Sequence, residues 1–201
     1  MWTVRGLKKG VITSRYPEEV REEELPPYVP AEAPRECPFG AVREGRLDLS
    51  TCLYCGLCNV GFERRAKMSR IENPLTFRRS LHVFFLDVGT CHLCNREVSL
   101  LTGPHYDIHR LGIFFVPTPK HADVLLVAGC PTEEMMPVLR EAYELMPEPK
   151  RVVVMGSCAQ GAICRSRVED HVPVDGYIDG CPPSPISVMD GLLKVAGRSE
   201  R

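Results

Sequence analysis

The sequence predicts an α/β fold: a parallel sheet, preceded by a small cysteine-rich module and an extended arm. Three observations carry this. From about Met68 onward, apolar runs rich in Val, Leu and Phe alternate with helix-like segments. Such alternation implies a parallel sheet with helices on both faces. Cysteines recur where the apolar runs stop. Before residue 67 the apolar periodicity is lost, and proline, glutamate and clustered cysteine replace it.

The chain has 201 residues, enough for one domain of ordinary size and a small appendage. A formal net charge of −1 offers no general attraction to nucleic acid or acidic membranes. No apolar run is long enough to cross a bilayer, so a direct membrane span is not expected. Ten cysteines are the strongest compositional signal. The start, Met1-Trp2-Thr3-Val4-Arg5-Gly6-Leu7-Lys8-Lys9, has no secretory apolar core. A chain of this length also needs no disulfide staples. The cysteines therefore read as metal-bound thiolates in a reducing cytoplasm rather than as disulfides.

Residues 1–36 form the arm. Glu18-Glu19 and Glu22-Glu23-Glu24 are acidic, and Pro26-Pro27, Pro30 and Pro34 follow. The segment reads equally as a disordered tail or as an arm lying along a partner subunit. Residues 37–66 form the module. Cys37-Pro38 stands first, Arg43-Glu44-Gly45-Arg46 reads as a turn, and Cys52, Cys55 and Cys58 follow at C-x-x-C-x-x-C spacing. Phe62 stands where a fourth cysteine would continue the run. The segment thus resembles half of a two-cluster ferredoxin, with Cys37, Cys52, Cys55 and Cys58 completing one iron–sulfur cluster. Four thiolates on zinc are the competing reading. The close triplet favours iron and sulfur, because three corners of a cube need three near neighbours.

Residues 67–201 form the larger domain. Strands are predicted at 81–87, 113–117, 123–128, 151–155 and 174–179, and helices at 94–102, 132–146 and 185–196. Thr132 followed by Glu133 and Glu134 looks like a helix cap. In parallel sheets, sites form at the carboxyl ends of the strands. Cys91 and Cys94 lie between an apolar run and a helix start, where amide groups point at negative charge. With Cys158 and Cys181 they make a four-thiolate set. Cys130 also falls near a strand end, and Cys130 and Cys164 read as buried free thiols acting as small apolar residues.

Several ordered motifs then carry a resemblance. They are Asp87-Val88-Gly89-Thr90-Cys91-x-x-Cys94-Asn95-x-Glu97, Tyr106-Asp107-Ile108-x-Arg110-Leu111-Gly112, and the run Pro119 to Gly129. Met155-Gly156-Ser157-Cys158-Ala159 and Pro173 to Pro183 complete them. From about residue 80 the chain resembles the iron–sulfur subunit shared by respiratory complex I and membrane-bound [NiFe] hydrogenases. The resemblance implies a flavodoxin-like domain and one [4Fe-4S] cluster on Cys91, Cys94, Cys158 and Cys181, facing a large catalytic subunit. With the module's cluster that makes two [4Fe-4S] clusters. Complex I places its first two ligands side by side, so the separated Cys91 and Cys94 are similar to the hydrogenase branch. Lys8 to Pro17 resembles the start of the ferredoxin-type partner subunit of the same complexes. The chain departs from the hydrogenase pattern at Leu93, where glycine is usual, at the bulkier His92, and at Cys130, where proline is common. A nickel-free relative linked to quinone, ferredoxin or sulfur therefore stays open.

The implied function is electron transfer without substrate chemistry on this chain. Its place would be on the cytoplasmic side of the membrane, with the large subunit and with other iron–sulfur and membrane subunits. A zinc-stapled scaffold is the alternative of another class. Glu97 is associated with a proton route in the resembled hydrogenases, or is simply a carboxylate favoured at a helix start. His92 could hydrogen-bond a cluster sulfur or be a surface residue. His121 would fix a turn. Lys120, Arg165 and Arg167 could offset cluster charge.

Overall fold

The computed structural model describes residues 2–10, 12–19, 29–58, 60–63, 68–76, 79–164 and 166–198. The acidic run Glu22-Glu23-Glu24, Pro26-Pro27 and Arg165 lie outside the described residues. The larger domain is a six-stranded sheet in the order β5-β10-β9-β8-β6-β7. Its strands are β5 (Ser69–Ile71), β6 (Leu81–Asp87), β7 (Ile113–Phe115), β8 (Val124–Ala128), β9 (Arg151–Met155) and β10 (Gly176–Ile178). β6 through β10 are parallel, and their spatial order, counted from β6 as first, is 2-1-3-4-5. That is the flavodoxin-like winding, whose sites lie at the carboxyl ends of the strands.

The predicted strands 81–87 and 151–155 match β6 and β9 residue for residue. β8 is buried at all five positions, as a central parallel strand covered on both faces must be. β7 and β10 are shorter than predicted. β5 was not predicted. It pairs antiparallel with β10 at the sheet edge, and its three residues, Ser69, Arg70 and Ile71, have no apolar run to announce it.

Three helices cover the sheet: α2 (Leu93–Leu101), α3 (Met135–Leu145) and α4 (Pro185–Val195). Val98 and Leu101 from α2 share one core with Ile186, Met189 and Leu192 from α4. The second core joins Met136, Leu139 and Ala142 of α3 to Leu125, Val127 and Val152. α4 starts as its sequence dictates: the Ser184 hydroxyl accepts from the Ser187 amide at 3.2 Å, with Pro185 in the first turn. α3 does not start at Thr132. That residue takes the Met135 and Met136 amides on its carbonyl, and the helix enters through Glu134 without a side-chain cap.

Among the described residues, part of the arm lies on the chain's own sheet domain. The arm begins with a helix, α1 (Trp2–Lys9), and its next stretch docks there. The Ser14 amide donates to the His105 carbonyl at 2.6 Å, and the Arg110 guanidinium donates to the Ser14 and Tyr16 carbonyls. Tyr16 is buried, and its hydroxyl donates to Asp190 at 3.2 Å. Asp190 is itself buried, and Lys194 at 2.6 Å and the Ser69 hydroxyl at 2.5 Å also hold its carboxylate. A buried charge needs such partners. Burial first, and then the Asp190 charge, push the Tyr16 hydroxyl well above the ordinary phenol range.

The cysteine-rich segment has two small ladders. β1 (Val29–Pro30) pairs antiparallel with β4 (Phe62–Glu63), and β2 (Val42–Arg43) with β3 (Arg46–Leu47). The predicted turn at Arg43-Glu44-Gly45-Arg46 is the second hairpin's loop, with φ of +51° at Glu44 and +72° at Gly45.

Cys130 and Cys164 are not free thiols. They form a disulfide, Cα to Cα 5.7 Å, joining the loop after β8 to the loop after β9. No spacing rule announces it, because 34 residues separate the two. A bridge across a loop of that size contributes roughly 3–4 kcal/mol in the chain-entropy account. Denaturation of the oxidised chain and of Cys130→Ser/Cys164→Ser should therefore differ by up to that amount. Equal midpoints, with both thiols open to alkylation in the parent, would remove the bridge from the fold.

Candidate metal centre

Strand register assembles the first thiol set. Asp87, Ala128, Met155 and Ile178 end their strands in one row across the sheet. Cys158 and Cys181 stand three residues beyond Met155 and Ile178, so both land on the same rim. Cys91 follows β6 on that rim, and Cys94 lies in the first turn of α2. Cys91 is exposed, and the other three are half-buried.

The thiols feel one another. Burial, then the neighbouring Cys158 and Cys91, push the Cys94 thiol up to about 12. Cys158 is brought down to about 7 by its hydrogen bond with Cys181, whose own thiol is raised far above the ordinary range. The first proton leaves this pair easily. The second is held, because it would leave two thiolates side by side. A Cβ on Gly156, where φ is +89°, would sit 3.1 Å from the Cys94 sulfur. Bare backbone is what gives that sulfur its room.

The loop before Cys91 is scaffolded by residues to which the sequence reading gave no role. Asp87 Oδ1 accepts the Gly89 and Thr90 amides, each at 2.8 Å. Its Oδ2 accepts from Asn95 Nδ2 at 2.7 Å, and the Thr90 hydroxyl is 2.6 Å from Asn95 Oδ1. Burial raises the Asp87 pKa, but these hydrogen bonds outweigh it and leave the carboxyl below its usual range. An aspartate two residues before a glycine is the local signal for such a turn. A second brace ties the Cys158 and Cys181 loops together: Gln160 Nε2 and Arg70 both donate to Asp179 Oδ1, at 3.1 and 3.2 Å.

The second set lines one small cavity. Cys37, Cys52, Cys55 and Cys58 surround it with Pro30, Leu47, Leu53 and Phe62 among its apolar walls. The Tyr54 amide points at the Cys52 sulfur at 3.4 Å. Burial and the like charges of Cys37, Cys58 and Cys55 raise the Cys52 thiol despite that amide. The two sets meet at Ser157, whose hydroxyl donates to the Cys52 carbonyl at 2.7 Å.

Eight sulfurs in two groups of four fit a soft metal core that binds thiolates. Among the described residues no three Cys, His, Asp or Glu side chains close on one point as ligands of a single ion would. Ligands of a four-iron cube hold separate corners and stand farther apart.

Of the other candidates, Glu97 is half-buried on α2, and burial raises its pKa. His92 is exposed and left-handed (φ +69°) at the start of α2, with no side-chain cap bond. Lys120 and His121 fall before β8, on the rim opposite the thiols, so Lys120 cannot offset charge at the centre. The turn there is built by Thr118 capping the Lys120 amide, while His121 is exposed. Arg167 is on the thiol side but is paired with Glu169 at 2.9 Å.

Two outcomes follow. Asp87→Ala leaves the Gly89 and Thr90 amides and Asn95 without their acceptor, and should cost about 1–3 kcal/mol in chemical denaturation. Glu97 binds its proton more tightly folded than unfolded, so its contribution to stability is lost as pH rises through the folded-state value. Glu97→Gln should therefore be at least as stable as the parent at pH 7, and a large loss there would contradict the assignment.

The fold and this rim can be set beside known proteins. An uncharacterized protein of Methanocaldococcus jannaschii is 41% identical over 128 residues, 61% of this chain and 86% of the relative. Among solved structures, the membrane-bound sulfane sulfur reductase, an archaeal respiratory membrane complex, contains a chain 31% identical with a TM-score of 0.51. That match covers 61% of this chain and 72% of the other. No described helix is long and apolar enough to cross a membrane. Residues 91–195 match the family described as NADH ubiquinone oxidoreductase, 20 Kd subunit, a stretch that holds Cys91, Cys94, Cys158 and Cys181 but not the front module. Subunits of this family serve oxidoreductase complexes in electron transfer and typically bind an iron–sulfur cluster. With just over half of its length inside that match, the chain belongs to the family of the 20 kDa subunit of NADH:ubiquinone oxidoreductase.

Proposed function

We propose that this chain is the electron-relay subunit of a membrane-bound, complex I-like oxidoreductase and holds two [4Fe-4S] clusters. Cys91, Cys94, Cys158 and Cys181 hold one beside a large catalytic subunit, and Cys37, Cys52, Cys55 and Cys58 hold the other in a ferredoxin-like module. The observation that carries the reading is the grouping of eight free cysteines into two mutually interacting sets. When bound, the clusters accept and release single electrons. The chain's residues supply thiolate ligands, limit the access of water to the Cys52 sulfur and to the half-buried ones, and fix the spacing of the two sets.

The Cys91-x-x-Cys94 spacing supports a [NiFe] hydrogenase-type complex on the cytoplasmic side of the membrane. A sulfur-linked, nickel-free complex is the second reading. Likeness to the sulfane sulfur reductase favours it, as do the exposed His92 and Leu93 between the first two ligands. In either, the exposed Cys91-His92-Leu93 edge faces the large subunit, and the half-buried Glu97 carboxylate can hold a proton beside it.

Anaerobically purified chain should contain about eight iron and about eight acid-labile sulfide, with a broad visible absorption bleached by dithionite. Cys94→Ser and Cys52→Ser should each lower iron to about half. Stoichiometric zinc in a colourless solution would overturn the reading in favour of a scaffold. Nickel in the co-purified large subunit separates the hydrogenase from the sulfur-linked form. In the intact complex Glu97→Gln should keep the iron and reduce proton-coupled turnover roughly a hundredfold if the carboxylate relays protons.

A further inference from the structure

Ser157 holds a singular place between the two thiol sets. Its side chain is buried, at 1% exposure. Its Oγ is 2.7 Å from the Cys52 carbonyl and 3.3 Å from the Gly180 carbonyl. A hydroxyl has one proton to give. The Cys52 carbonyl is the nearer acceptor by 0.6 Å, so the hydroxyl proton goes to Cys52, while the Gly180 carbonyl accepts the Ser157 amide at 3.0 Å. One residue thus touches the backbone of a front-set cysteine, directly precedes Cys158, and pairs with the residue before Cys181. A second contact lies alongside: Tyr54, between Cys52 and Cys55, lines a small cavity with Cys181.

We propose that Ser157 is the positioning residue that couples the two cysteine sets. This rests on the reading that each set holds a four-iron cluster. From the Cys52 sulfur to the Cys158 sulfur, the path through this residue is covalent except for one hydrogen bond. An electron's coupling decays more slowly along bonded atoms than across a gap of the same length. The exchange needs nothing else: one cluster loses an electron, the other gains it, and the hydroxyl is neither oxidised nor deprotonated. A buried serine that merely satisfies a carbonyl would leave the rate and the magnetic interaction of the two centres unchanged when replaced.

The test uses the whole chain, purified anaerobically, as parent, Ser157→Ala and Ser157→Thr. In the parent, fully reduced chain should show an electron paramagnetic resonance spectrum broadened by interaction between two centres, and Cys52→Ser should collapse it to that of one. Ser157→Ala should retain about eight iron, weaken the interaction and slow electron equilibration after flash photoreduction severalfold. Ser157→Thr, which keeps the hydroxyl, should restore the parent rate. Parent chain with about four iron, or with zinc, would overturn the two-cluster reading itself. Eight iron in Ser157→Ala with parent spectrum and rate would overturn the coupling role alone. Should Ser157→Ala lose the front iron, Ser157→Thr decides: parent-like iron and rate support the hydroxyl, and alanine-like loss overturns it.

Discussion

Four thiolates gathered in one place repel one another, and the whole rim of this sheet is arranged around that cost. Burial and the neighbouring thiols raise Cys94, and the hydrogen bond that lowers Cys158 is the first cause that raises Cys181. Left alone, such a set gives up its first proton, from Cys158, and holds those of Cys94 and Cys181. A positively charged iron core would reverse the balance, because each thiolate would then have a partner and burial would strengthen the attraction. The grouping is therefore costly as bare thiolates and would be favourable around a positive core. Gly156, Asp87 and Asp179 hold it in place from beneath.

The sheet makes this possible through register. Parallel pairing sets Met155 level with Ile178, so residues at equal offsets beyond them arrive side by side. Cores on both faces stiffen the platform. The front module is secured to that platform at one of its own four cysteines, through the Ser157 bond to Cys52. The docked arm adds a fastening at the middle of α4, through Tyr16 and the buried Asp190.

Much of this arrangement is legible in the sequence. β6 and β9 follow from continuous apolar runs, and α4 from Ser184-Pro185. The placing of cysteines at strand ends was also legible, because a parallel sheet dictates where its sites lie. What escaped was non-local. β5 has only three residues and takes its identity from pairing with β10. Thr132 resembles a cap, yet its carbonyl does the work. Cys130 and Cys164 meet only because two loops converge. Lys120 looked like a counter-charge until the strand direction put it on the opposite rim. The Ser157–Cys52 bond spans 105 residues and leaves no local trace.

The central claim is that eight sulfurs bind two separate iron cores. Crystals of anaerobically prepared chain, measured at the iron absorption edge, test it directly. Two compact anomalous peaks are predicted, one within reach of Cys91, Cys94, Cys158 and Cys181 and one within reach of Cys37, Cys52, Cys55 and Cys58. Peaks appearing only at the zinc edge, or a single iron peak with either thiol set left bare, would contradict it.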